Sequence, residues 1–157
     1  MAVAPDDDDP GSAFTDPELA LDFVERTGVD TLAISFGNVH GTYQGEPNLD
    51  LGLVREIHSR VDIPLVMHGA SGLAEGEYIK IIESGISKVC YYTAMGRRAA
   101  KDIHGWLADA GQDGAVYHDI ISHAIDFFRA DTAYVMSLVG CIRVVQTTGK
   151  PKALGVT

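Results

Sequence analysis

Apolar and polar positions alternate along this chain in two rhythms, and the switches between them predict the order of its elements. From Thr15 onward, apolar residues recur at Leu19, Ala20, Phe23 and Val24, the spacing of a helix with one buried face. Thr15 with Glu18 three residues on makes a capping box, Pro17 is tolerated in the first turn, and Gly28 ends the helix. Three apolar runs rich in β-branched or aromatic residues follow, Thr31 to Phe36, Ile63 to Met67 and Lys88 to Tyr92, and read as buried parallel strands. Between them Leu51 to Arg60 and Ala74 to Ser84 return to the helical period, through Leu53, Val54 and Ile57 and through Tyr78, Ile81 and Ile82. Helices alternating with strands in this order predict an α/β fold, a parallel sheet with right-handed crossovers. Beyond the third run the pattern is helical alone: Met95 to Ala110, Val116 to Phe128 and Thr132 to Val144.

The flanks follow neither rhythm. Residues 1–14 combine two prolines, a glycine and the aspartates Asp6 to Asp9, which predicts an exposed acidic segment. The polar tail over 146–157, with its Gly and Pro residues, reads as frayed. One domain over 15–145 is left between them.

Composition narrows the class. Of 157 residues, 46% are hydrophobic and 22% charged, the balance of a folded soluble domain, in a chain shorter than the roughly 250 residues usual for a closed (β/α)8 barrel. The net charge of −10, still −6 with Asp6 to Asp9 set aside, offers no basic stripe for nucleic acid. No apolar stretch approaches the ~20 residues that span a bilayer, and no secretory signal pattern opens the chain, so a cytoplasmic location is expected. Cys90 and Cys141 stand far apart with no CxxC spacing, which predicts two reduced, partly buried cysteines.

Parallel sheets bind ligands at the C-terminal ends of their strands, so the residues just after each run carry the candidate chemistry. They read GNVHG (Gly37 to Gly41), HGASG (His68 to Gly72) and TAMGR (Thr93 to Arg97). His40 and His68 thus fall at two strand exits, where imidazoles from separate elements can converge on Zn²⁺ at about 2.0–2.1 Å. By position alone, each histidine reads more readily as an ordinary surface or hydrogen-bonded core residue. Gly69 and Gly72 would let backbone amides approach an anion, Ser71 adds a hydroxyl, and the helix that follows would favour a phosphate; a plain strand-to-helix turn needs the same glycines. His58, His104, His118 and His123 lie within predicted helices and read as structural or solvated. Arg97 and Arg98 either meet a second anionic group or form a solvated helix start.

The segment TDPELALDFVERTGVDTLAISFGNVHGTYQGEPNLD, followed by IPLVMHGASGL and GISKVCYYTA, resembles the class II fructose-bisphosphate/tagatose-bisphosphate aldolases over roughly Thr15 to Arg97. The resemblance implies the C-terminal part of a TIM (β/α)8 barrel, its last three strands followed by extra C-terminal helices. It also implies a dimer or tetramer and a zinc ion held by three histidines, two of which match His40 and His68. Phosphate and dihydroxyacetone-phosphate contacts would fall on Gly41, on Gly69, Ala70 and Ser71, and on Cys90, Tyr91, Tyr92 and Thr93. The implied reaction, a step of glycolytic carbohydrate metabolism, is reversible cleavage of a ketose 1,6-bisphosphate to dihydroxyacetone phosphate and glyceraldehyde 3-phosphate. Zinc would polarise the ketone as a Lewis acid, with no lysine Schiff base.

The departures from the family pattern are specific. Its third histidine and catalytic aspartate belong to the first half of the barrel, which these residues do not include. Where relatives carry Asn-x-Asp-Thr after the last strand, this chain has Cys90, Tyr91, Tyr92 and Thr93; cysteine cannot supply an amide's hydrogen bonds. The run Asp6 to Asp9 stands near the place of an acidic Gly-Gly-Glu-Glu-Asp segment without its glycines or glutamates, and reads as solvated charge. Three strands cannot close a barrel, so a homo-oligomer or completion by another subunit is expected. Two functions stay open: an aldolase polypeptide, or a non-catalytic partial barrel that binds a phosphosugar or pairs with another subunit. A different phosphate-binding barrel enzyme would leave the paired histidines unaccounted for.

Overall fold

The computed structural model describes residues 14–40, 47–111 and 114–140. The acidic segment (all but its last residue), Gly41, Cys141 and the tail lie outside them. Two compact units divide at Ala94 and Met95.

The first unit runs α1 (Pro17–Thr27), β1 (Leu32–Ala33), α2 (Leu51–Arg60), β2 (Leu65–Met67), α3 (Glu75–Glu83) and β3 (Ile86–Val89). Its three strands are parallel in the order β1-β2-β3, with Leu32 opposite Leu65 and Val66 opposite Lys88, and an irregularity in the β2–β3 register at Leu65/Val66. Ile34, Phe36, Leu65, Met67 and Ile86 are buried from the sheet, and Val54, Ile57, Tyr78 and Ile81 from α2 and α3. The helical spacing of α2 and α3 faces this core, whereas in α1 Ala20 is buried and Leu19 and Phe23, expected on the same buried face, are exposed. On the surface, Arg60 of α2 bonds Glu18 of α1 and, at 2.8 Å, Glu56 one turn earlier. The Glu18 hydrogen bond, more than its charge, holds the Arg60 guanidinium above its ordinary value against some desolvation.

Several boundaries differ from the sequence expectation, each for a traceable reason. The cap of α1 is Asp16, whose Oδ1 accepts from the Leu19 amide at 2.9 Å. Thr15 is used elsewhere: its amide donates to the Ser35 carbonyl and its hydroxyl accepts from the Ser35 amide. β1 is short for a separate reason: the Leu32 and Ile34 amides donate to Pro64 and Val66, but the next amide on that edge, Phe36, turns to the Asn38 side chain, so Phe36 stays buried while the ladder stops early. β2 begins only after Pro64, which has no amide to donate but whose carbonyl accepts from Leu32.

β3 starts two residues earlier than Lys88 and ends at Val89. The Cys90 amide still reaches the Met67 carbonyl at 2.8 Å, but β2 turns away after Met67, leaving Tyr91 and Tyr92 no strand to pair with.

The second unit holds α4 (Thr93–Ala110) from Met95 on, and α5 (Tyr117–Leu138). The two helices expected over 116–128 and 132–144 form one through Leu138, because Arg129, Ala130 and Asp131 include no breaker. Polar pairs tie the helices together. Arg98 donates to both Asp131 oxygens at 2.7 Å, and His123 Nε2 lies 2.6 Å from Asp102 Oδ2 with its ring stacked on Trp106 at 4.7 Å. So Arg98 takes an internal carboxylate as its partner. His58, His104 and His118 are exposed helix residues.

Candidate functional site

The strand exits bring His40 and His68 together. His68 directly follows β2 and His40 lies in the connection after β1; both are exposed, with ring centroids 5.4 Å apart and planes tilted by 40°. Two imidazoles bound through one nitrogen each to a tetrahedral Zn²⁺ at roughly 2.0–2.1 Å have centroids on the order of 5 Å apart. The observed separation is close to that spacing. Among the described residues no third His, Cys, Asp or Glu joins it as a ligand group.

Local sequence explains the approach. Gly69 has φ +70°, and a Cβ built on it would lie 2.1 Å from the Val39 carbonyl oxygen. Only glycine allows the two loops to touch backbone to backbone there, one residue from each imidazole. Asn38 completes the junction. Its Oδ1 accepts from the Phe36 amide at 2.8 Å, and its Nδ2 donates to the His68 carbonyl at 3.0 Å and the Ile34 carbonyl at 3.4 Å.

The loop after His68 is built inward. Ala70 is fully buried; its carbonyl accepts from the buried Tyr78 hydroxyl at 2.8 Å and its amide donates to the Cys90 carbonyl at 3.4 Å. Ser71 is 5% exposed, and its hydroxyl oxygen accepts from the Ala94 amide at 3.2 Å. These bonds hold the Gly69–Ser71 loop against residues 90–94. Cys90 is a free, half-buried thiol, Tyr91 is half-buried, Tyr92 is 69% exposed and Thr93 is the first residue of α4. Gly41 lies outside the described residues.

The helix starts differ in what they offer an anion. The first turn of α3 carries Glu75 and Glu77, and the Glu77 carboxylate already accepts from the Ala74 amide at 3.1 Å. Negative charge thus occupies the position where a phosphate would gain from the helix dipole. α4 has no acidic residue in its first turn, and its second residue contacts Ser71. The sequence reading missed two supporting residues. Asn38 was visible inside GNVHG, in a position typical of side-chain-capped turns, whereas Tyr78 is indistinguishable from any apolar helix position until its hydroxyl is seen to hold Ala70.

Known proteins resemble this chain in sequence and fold. A family model described as fructose-bisphosphate aldolase class-II covers residues 2–143. The chain is 44% identical over 85 residues to the uncharacterized protein YdjI of Escherichia coli strain K12, an alignment covering 54% of this chain and 31% of that protein. The X-ray crystal structure of the YdjI aldolase from Escherichia coli K12 superposes with a TM-score of 0.71 at 32% identity, over 81% of this chain and 46% of that one. A putative fructose-1,6-biphosphate aldolase from Coccidioides immitis gives a TM-score of 0.71 at 27% identity, over 80% and 43%. The chain spans less than half the length of each of these relatives. Its three parallel strands and their helices form a partial α/β barrel.

Proposed function

As the chain belongs to the class II fructose-bisphosphate aldolase family, we propose that its strand exits form the metal- and phosphate-binding half of an aldolase site. The reaction is reversible cleavage of a ketose 1,6-bisphosphate to dihydroxyacetone phosphate and glyceraldehyde 3-phosphate, in cytoplasmic carbohydrate metabolism. The observation that carries this reading is the 5.4 Å separation of the His40 and His68 rings at the exits of two adjacent parallel strands. His40 and His68 hold Zn²⁺ as two of its three protein ligands. When bound there, Zn²⁺ supplies Lewis-acid polarisation of the substrate ketone.

The chain's own residues then bind and orient. Gly69 and Ser71 contact the phosphate, with Gly41 as a further contact, the buried Ala70 backs their loop through its bonds to Cys90 and Tyr78, and the segment Cys90 to Thr93 borders the site. A phosphate fixed at a non-reacting end of the substrate places the reacting carbon beside the metal pair, so its binding energy is spent on orientation. The Ser71–Ala94 and Ala70–Cys90 hydrogen bonds support this by keeping the two segments together. The third ligand and the catalytic aspartate of the family come from further polypeptide or from a different subunit.

Two observations favour a second reading, a non-catalytic partial barrel that binds a phosphosugar or pairs with another subunit. No third ligand stands among the described residues. The exit of β3 also carries Cys90, Tyr91 and Tyr92 in place of the family's Asn-x-Asp. Cleavage of fructose and tagatose 1,6-bisphosphates with added Zn²⁺, measured with the metal content of the purified chain, separates the two. With the polypeptide that carries the third ligand and the aspartate present, turnover that disappears in both His40→Ala and His68→Ala is the expected result and ends the non-catalytic reading. Phosphosugar binding without turnover ends the enzymatic one.

A further inference from the structure

Asn38 bridges by its side chain from the β1 exit loop to the residue carrying the second imidazole. Its carboxamide is committed at both ends: Oδ1 to the Phe36 amide, Nδ2 to the carbonyls of His68 and Ile34. His40 lies two residues beyond Asn38. The neighbouring backbone contact between Val39 and Gly69 holds the same two loops from the other side of His68. Each imidazole is therefore attached to backbone that is anchored across the junction within two residues, while both rings remain exposed. For exposed rings, the separation follows largely from the backbone that carries them.

We propose that Asn38 is the positioning residue of the His40–His68 pair: its bond to the His68 carbonyl sets the ring separation at which both imidazoles can take one divalent cation. The positioning itself stands on the geometry of the free protein. Its consequence for the cation rests on the metal reading given above.

A simpler role is confined to the loop, in which Oδ1 closes a turn through the Phe36 amide and nothing further is set. Asn38→Asp separates the two roles, because the isosteric carboxylate keeps the acceptor for Phe36, loses both Nδ2 donors and faces the His68 carbonyl with negative charge. The experiment uses the full 157-residue chain. In metal-free protein, NMR reads the nuclear Overhauser contact between the His40 and His68 rings, assigned with His40→Ala and His68→Ala, and the exchange rate of the Asn38 side-chain amide. Co²⁺ is then titrated and followed by its visible absorption.

The expected results are a ring-to-ring contact and a slowed Asn38 amide in the unsubstituted chain. In Asn38→Asp the contact is lost and Co²⁺ binds about 10- to 100-fold more weakly, the range for residues that orient metal ligands, while the backbone amide signals of α2 and α3 stay in place. A ring contact that persists in Asn38→Asp overturns the proposal. So does an Asn38 side chain exchanging at the rate of a free carboxamide in the unsubstituted protein, a measurement that decides the matter even where the variant does not fold. Loss of the ring contact in a chain that binds no Co²⁺ at all supports the positioning role and removes the metal reading instead.

Discussion

The two units of this chain are held together by different means. Up to Ala94 the interior is apolar and closely packed: Phe36, Val54, Ile57, Leu65 and Met67 are fully buried, and loops meet backbone to backbone at Gly69. From Met95 on, the buried apolar side chains among the described residues are Met95, Ala99 and Val135, and the helices are tied by Arg98–Asp131 and by His123 with Asp102 and Trp106. Much of the apolar surface of α5 is open, with Tyr117, Ile121 and Ile125 at four-residue spacing all exposed. The candidate site lies wholly in the first unit. The contrast is physical: a metal pair needs ligands held to a few tenths of an ångström, and only a packed sheet with short exits supplies that rigidity.

Substitutions sharpen this contrast in graded steps. The largest effect is expected at Leu65→Ala, which empties a fully buried position in the sheet and costs about 3–4 kcal/mol in urea unfolding followed by far-UV circular dichroism. Gly69→Ala follows, at about 2–3 kcal/mol, since the methyl group meets the Val39 carbonyl and φ is +70°. Gly28→Ala is its control. With φ +63° but nothing within 4 Å of the added carbon, it carries only the backbone penalty, about 1 kcal/mol.

In the second unit the polar tie should show an asymmetry. Arg98→Ala leaves the 8% exposed Asp131 carboxylate without this partner and costs about 2 kcal/mol; Asp131→Ala costs about half as much, because Arg98, 41% exposed, keeps access to water. Fluorescence of Trp106, the chain's one tryptophan, reads both. The smallest effect is expected at Ile125→Ala, within about 0.5 kcal/mol, because that side chain is already 51% exposed. A cost above about 2 kcal/mol there would mean that the open face of α5 is covered in solution, and the contrast between the units would fail.

Legibility in the sequence divides along the same line. The helix over Leu51 to Arg60 matches the observed α2 residue for residue, since its apolar spacing and its flanking Asp50 and Val61 leave no competing choice. The three parallel strands and the GNVHG and HGASG exits were readable for a related reason, that buried runs ending in Gly and His admit few other structures. What escaped were hydrogen bonds between distant segments. Thr15 is a sound cap by local rules, yet it pairs with Ser35, twenty residues away, and Asp16 takes its place. The end of β3 was placed too late because the sequence shows an apolar run through Tyr92 but not where the neighbouring strand turns away. The break expected within α5 failed because a gap in apolar spacing does not stop a helix; it takes a residue that disfavours one.

The metal pair is the centre of the account, and direct titration tests it most simply. Zn²⁺ added to the 157-residue chain, followed by calorimetry, should bind at one site per chain. Each of His40→Ala and His68→Ala should remove that binding while leaving the urea midpoint unchanged, since both side chains are exposed. Zn²⁺ affinity unaffected by both substitutions would contradict the account.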